Sequence, residues 1–191
     1  VMVDLGRPLH AYDIDKIDGD KLIIRLAKSG ETITALNEKT YELDEEMLVI
    51  GDANGPDDLA GIMGGERTGV SEVTKSMFLE VAIFDQIAVA TTGRKLNIHS
   101  DARFRFERGL DVTSPEWVSG YVARMVLDIC GGKASHVVSA GAGAAWQRTI
   151  FLAMDKVERL TGIKVPKDRQ VAILELLGFS VSEANGGWQV S

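Results

Sequence analysis

Cysteine is nearly absent from this 191-residue chain: Cys130 stands alone. That excludes an intrachain disulfide and any cysteine-cluster metal site. Its setting, Val126-Leu-Asp-Ile-Cys130, looks like one face of a helix, so a buried, inert thiol is expected. A reducing cytoplasm is the matching compartment. Long apolar runs are missing too, and none approaches the ~18 residues of a bilayer-spanning helix. The opening Val-Met-Val-Asp-Leu shows no basic region followed by an apolar stretch, so no secretory signal is expected. Positive charge is in deficit, with 21 Lys and Arg against 28 Asp and Glu and a formal charge of −7. Phosphate contacts need clustered cations, so a chain that grips nucleic acid over its whole surface is excluded. Histidine is limited to His10, His99 and His136, with no His-x-x-x-His or His-x-Cys spacing, and no metal site is expected.

Fingerprints of common enzymes are also lacking. Gly61-Ile-Met-Gly-Gly65 has neither a Gly-Lys-Ser/Thr ending nor the Gly-x-Gly-x-x-Gly spacing, which argues against a nucleotide loop or a dinucleotide oxidoreductase. Asn97-Ile-His-Ser-Asp101 lacks the Gly-x-Ser-x-Gly elbow of a nucleophilic serine. Ser100 is more simply a helix cap for the segment that follows.

What is present is ordinary globular material. Hydrophobic residues make up 45% of the chain, enough for one domain, or one domain with part of another. Leu22–Leu26, Thr32–Leu36, Met47–Ile50 and Met77–Ala82 carry strand-like residues between turn signals. Asp52-Ala-Asn-Gly-Pro-Asp-Asp58 predicts an exposed loop. Asp85 is placed to cap a helix running to about Leu96, with Ile87, Ala90 and Thr91 on one side. Thr113-Ser-Pro-Glu116 matches a capping box, followed by Val118, Tyr121, Val122, Met125, Val126 and Ile129 at helical spacing and a stop at Gly131-Gly132. Ala140-Gly-Ala-Gly-Ala-Ala145 has linker composition. Beyond it, Met154–Thr161 and Lys167–Leu177 predict two short helices, and Asn185-Gly-Gly187 predicts a hairpin turn between strands. The chain stops at Ser191, directly after a strand, so a piece of a longer protein is expected. One basic concentration exists: Arg94, Lys95, Arg103, Arg105 and Arg108 fall within fifteen residues. Arg94, Lys95 and Arg103 are candidate phosphate contacts; the alternative is local pairing of this group with Asp101, Glu107 and Asp111.

Three phrases in order, Gly6-Arg-Pro-Leu-His10, Leu59-Ala-Gly-Ile-Met-Gly-Gly-Glu66 and Arg105-Phe-Glu-Arg-Gly109, resemble the B3/B4 editing module of the bacterial phenylalanyl-tRNA synthetase beta subunit. The resemblance covers roughly residues 1–145, and residues 146–191 resemble the start of the next module, B5. It implies an α+β fold: a β-rich layered B3/B4 body with flanking helices, then a partial winged-helix-like B5 region. It further implies hydrolysis of tyrosine misattached to tRNA(Phe), within a ligase whose alpha subunit is the partner. ATP and magnesium would serve the complete synthetase, and no cofactor is expected in these residues.

Carried over position by position, the family's pocket gives His10, Gly64 and Glu80, the last from Leu79-Glu-Val-Ala82. Ser100 stands where threonine is usual, followed by Ala102, while Arg103 and Phe104 depart from the family's small-residue pattern. Glu80 would accept a hydrogen bond from the tyrosine hydroxyl, which phenylalanine cannot offer. Without the resemblance, Glu80 reads as a solvent-facing strand residue. Backbone at Gly64 and Gly65 and the Ser100 hydroxyl would hold substrate, and His10 would position water or steady the ribose. The competing expectation is a non-catalytic structural or tRNA-orienting module of the beta subunit.

Overall fold

The computed structural model describes residues 1–141, 143 and 146–191. The described chain forms two compact units, Val1–Gly141 and Ala142–Ser191. Of the expected linker 140–145, Ala142, Ala144 and Ala145 lie outside the described residues.

In the first unit a single helical turn, α1 (Met2–Leu5), stops at Gly6 in the left-handed region. The chain then enters β1 (His10–Asp13). The β-branched runs become β2 (Ile23–Leu26), β3 (Thr32–Thr34) and β5 (Leu48–Gly51), with β4 (Thr40–Glu42) between the last two. Next come β6 (Pro56–Leu59), β7 (Met63–Gly64) and β8 (Met77–Glu80). All pairings are antiparallel. β2-β5-β6-β7 form a four-stranded sheet, and β3-β4 and β1-β8 form two-stranded ones. Three helices follow: α2 (Gln86–Lys95), α3 (Asp101–Phe106) and α4 (Ser114–Cys130). The core is shared between sheets and helices, with Val49, Ile50 and Leu59 packed in one cluster with Phe84, Val89, Ile98 and Phe106.

The exposed loop expected over 52–58 is not what forms. β6 starts at Pro56, and Asp52, Asp57 and Asp58 are all buried. Strand alternation sends successive side chains to opposite faces, so each carboxylate needs its own partners. Asp52 accepts from the backbone N–H groups of Asp18 and Asn54, each at 2.8 Å, and from Arg67 at 2.7 Å. Arg67 also lies 2.5 Å from Asp57. Buried charge is tolerated at Asp52 because a cation and backbone donors replace water, whereas Asp57 has the Arg67 cation beside it and no hydrogen bond to its carboxylate among the described residues.

Two helix expectations also change. Asp85 caps α2 by accepting from the Ala88 N–H, but the buried residues are Val89, Thr92 and Gly93, and Ile87 is exposed. Thr113 precedes α4 without capping it; its hydroxyl and amide both turn back to Asp111, so the capping box does not form. Cys130, at the end of α4, is exposed rather than buried; it falls beyond the stretch marked by the buried Ser114, Val118 and Val122.

The second unit holds β9 (Ile150–Ala153), α5 (Lys156–Thr161), α6 (Lys167–Leu176), β10 (Val181–Ala184) and β11 (Gly187–Val190). β10 and β11 form the expected hairpin, and β9 adds to its other edge in the order β10-β11-β9. Trp188 is the unit's buried apolar residue. Among the described residues no helix is long and apolar enough to cross a membrane.

Candidate functional site

The β1-β8 ribbon does most to shape the site. Its register sets His10 opposite Glu80 and Tyr12 opposite Phe78. Because side chains alternate, His10, Tyr12, Phe78 and Glu80 share one face. Tyr12 reaches the diagonal neighbour, donating its hydroxyl to Glu80 Oε2 at 3.1 Å. The Tyr12 hydroxyl oxygen also lies 3.4 Å from Asp58 Oδ2 on β6. The His10 and Tyr12 rings meet edge to face at 4.5 Å, and His10 Nδ1 is 3.8 Å from Asp58 Oδ2.

A cavity of about 60 Å³ opens beside this cluster, lined among others by His10, Asp58, Met63, Gly64, Glu80 and Ala102. Gly64 is required by close approach, since a Cβ there would lie inside the His10 ring. Gly61, at φ +73°, occupies a backbone conformation that L side chains rarely adopt, and a Cβ there would press on Phe84 and Phe106. Buried His10 Nε2 finds no hydrogen-bond partner among the described residues.

Electrostatics follow from burial. Desolvation disfavours charged forms, so His10 is held below its ordinary value and is neutral at neutral pH. Burial pushes Glu80 up to about 7, against the hydrogen bond from Tyr12 and the charge of Arg7. Asp58 is raised well above the carboxylate range by burial, with the charge of Glu80 adding to it. The Tyr12 phenol is raised as well, by burial first and the two carboxylates second. Arg7, also buried, ties this region to the helices by donating to Ser114 Oγ at 2.9 Å and to the Ala82 carbonyl.

His10, Gly64, Glu80 and Ala102 therefore meet at one cavity, whereas the other expected residues lie elsewhere. Gly65 donates its N–H to the Asp57 carbonyl at 2.6 Å and borders a separate hollow with Thr32, Thr34 and Arg67. Ser100 caps α3, accepting from the Arg103 N–H at 3.0 Å, and donates to the Ile62 carbonyl at 2.6 Å. It thereby ties α3 to the strand-linking turn that lines the cavity. Arg94 and Lys95 are exposed on the last turn of α2, and Lys95 pairs with Asp44 and Glu46. Arg103 is buried, donating to the Ile98 carbonyl at 2.6 Å and to Glu107 at 3.0 Å. Its guanidinium is thus committed inside the protein. Among the described residues no group of three or more His, Cys, Asp or Glu is arranged to hold a metal ion.

Tyr12 and Asp58 are absent from the expected set. Tyr12 stands two residues after His10, the spacing that shares a strand face. Asp58 carried no such signal because its segment looked like a loop.

The model of the B3/4 domain matches residues 1–131. The chain belongs to the B3/4 domain family. The chain is 50% identical over 188 residues to the phenylalanine–tRNA ligase beta subunit of Paramagnetospirillum magneticum, covering 98% of this chain and 23% of that protein. With the beta subunit of Rhodospirillum rubrum the identity is 47% over 183 residues, 96% of this chain and 23% of the other. The chain thus spans about a quarter of the length of the curated relatives it matches. The crystal structure of an N-terminal fragment of the phenylalanyl-tRNA synthetase beta subunit from Pyrococcus horikoshii is a loose match to this B3/4 chain. Its TM-score is 0.39 at 15% identity, over 95% of this chain and 52% of that one.

Proposed function

We propose that this B3/4 domain removes tyrosine misattached to tRNA(Phe), as one part of a cytoplasmic phenylalanine–tRNA ligase beta subunit. An alpha subunit would carry the ATP- and magnesium-dependent synthesis. One observation carries the reading: at the cavity wall Glu80 already accepts a phenolic O–H, that of Tyr12, at 3.1 Å. A carboxylate able to satisfy an internal phenol is chemically suited to the phenol of a tyrosyl ester. Phenylalanine has no hydroxyl to donate to that carboxylate. A site built to hydrogen-bond a hydroxyl discriminates against its absence by ~10⁴–10⁵, whereas an apolar pocket rejects an added hydroxyl only ~100-fold.

Hydrolysis would proceed by direct attack of water on the ester carbonyl, without a covalent intermediate. Neutral His10 lines the cavity, and its buried Nε2 has no hydrogen-bond partner among the described residues; a shift of the ring on substrate entry would free it to orient that water or the ribose. Placement supplies much of the effect for an ester, which needs less activation than an amide. Gly64 keeps the backbone close to the His10 ring, and Ser100 acts by holding α3 and Ala102 in place. Of the three cations proposed for tRNA, Arg94 is exposed and has no ion-pair partner among the described residues; Arg103 serves the fold. We read residues 1–145 as the editing body and 146–191 as the opening of a winged-helix-like B5 region.

A second reading, a structural or tRNA-orienting module, draws on the cavity's size. About 60 Å³ is well below the ~150 Å³ of a cavity that holds benzene, so a phenol ring enters only if the cavity widens. Deacylation of tyrosyl-tRNA(Phe) and phenylalanyl-tRNA(Phe), run with this chain and with the complete ligase, separates the two. Selective loss of the tyrosyl ester supports editing; sparing of both esters by the complete ligase supports the structural module.

A further inference from the structure

Two buried carboxylates compete here for one hydroxyl. Tyr12 has a single O–H, yet its oxygen lies 3.1 Å from Glu80 Oε2 and 3.4 Å from Asp58 Oδ2. Tyr12 is wholly buried and Asp58 is 4% exposed, so water does not make up the deficit. With both carboxylates ionised, one proton cannot serve two acceptors, and one charge is left uncompensated. One added proton on Asp58 removes the conflict. Asp58 then donates to the phenolic oxygen, and the phenol donates to Glu80.

We infer that Asp58 and Tyr12 are positioning residues for tyrosine recognition, forming a chain Asp58-H···O(H)-Tyr12···Glu80 that favours ionised Glu80 and orients it toward the cavity. The inference rests on the editing reading of the site. Neither residue need touch the substrate: Tyr12 acts through Glu80, and Asp58 through Tyr12. An incoming phenol would donate to the ionised Glu80, whose orientation the internal phenol maintains.

The surrounding charges agree with this proton count. Arg7, just before β1, favours the ionised form of Glu80. Asp57, next to Asp58 on β6, disfavours a second ionised group there. His10, from β1, is neutral and adds no cation to stabilise Asp58 as an anion. Asp111, after α3, acts on Arg7 rather than on the pair. Asp58 is buried while Glu80 is only half-buried, and burial disfavours the charged form, so the proton belongs on Asp58.

The test follows the ratio of tyrosyl to phenylalanyl ester hydrolysis by the complete ligase between pH 6 and 8.5, corrected for uncatalysed loss. In the wild type the ratio rises as Glu80 ionises. Tyr12→Phe removes the donor that favours ionised Glu80, so the midpoint moves up by about one pH unit. Discrimination is then lost at neutral pH and recovered at alkaline pH. Asp58→Leu takes away the donor to the phenolic oxygen, so the midpoint moves up in the same direction as in Tyr12→Phe, and Asp58→Asn, which keeps a donor toward Tyr12, restores it. A purely structural role would lower the ratio at every pH without moving the midpoint. An unmoved midpoint in a folded Tyr12→Phe or Asp58→Leu protein, or failure of Asp58→Asn to restore the midpoint, overturns the chain. Thermal melts establish folding, and the Asp58→Leu and Asp58→Asn pair decides if Tyr12→Phe does not fold. A wild-type ligase that treats both esters alike refutes the editing reading instead, and the chain falls with it.

Discussion

Gly64 and Glu80 show how much of this site is decided by single atoms. A methyl group at Gly64 would enter the His10 ring, so Gly64→Ala should displace the imidazole and cost about 1–3 kcal/mol, as overpacking does. Urea denaturation reads the stability loss, and tyrosyl-ester hydrolysis by the complete ligase should fall with it; a variant of full stability and activity would remove the steric role. Glu80 makes a pH prediction. Its folded pKa, about 7, lies above the ordinary 4.5, so the folded state binds this proton more tightly than the unfolded state. That contribution is complete below about pH 4.5 and is lost as pH rises through about 7. His10, depressed by burial, has the opposite sign and loses stability toward acid. Glu80→Gln should therefore reduce the loss of stability between pH 5 and 8 by up to about 3 kcal/mol, measured by urea melts across that range. An unchanged slope would mean that Glu80 stays ionised throughout. The family resemblance singled out His10, Gly64, Glu80 and Ala102, and these four line one cavity. Asp58 carried no signal, because Asp, Asn, Gly and Pro around it read as a loop until its strand pairing and the Tyr12 hydroxyl are known.

At the scale of elements, helix ends carry the clearest consequences. Ser100 satisfies two groups at once, the Arg103 N–H and the Ile62 carbonyl. Ser100→Ala should cost about 1–2 kcal/mol, while Ser100→Thr, which keeps the hydroxyl, should cost little. Equal destabilisation by both would show that packing rather than capping governs the position. The caps at Asp85 and Ser100 could be anticipated, since each depends on a side chain and an N–H three residues away. The one at Thr113 could not, because Asp111 competes for the same donors. Periodicity likewise located α2 but chose the wrong face: a helix of mixed composition has several modestly apolar stripes, and the sheet selects which is covered. The buried stripe includes Gly93, against which the Arg103 guanidinium lies.

For the whole molecule, the division into two units has a direct test. Lys133 and Arg148 are exposed and outside any helix or strand. Limited trypsin treatment should cut at one of them first, releasing a fragment that ends at Lys133 or at Arg148, on one side or the other of Gly141, since exposed irregular backbone is where proteases act. First cuts inside α2 or α4 would contradict the division. The charge of −7 bears on the same scale. The isolated chain should hold tRNA weakly, and its deacylation should trail that of the complete ligase, because phosphate contacts must come largely from elsewhere.

Periodicity, turn residues and the three short phrases were enough to indicate a mixed α and β chain, its family and the hairpin at Asn185-Gly186, because these depend on local order along the backbone. The partners of Asp58, the phenol on Glu80, the burial of Arg103 and the exposure of Cys130 depend on segments far apart in sequence. Buried charge is stable only where such distant partners converge, and only the tertiary structure decides where that happens.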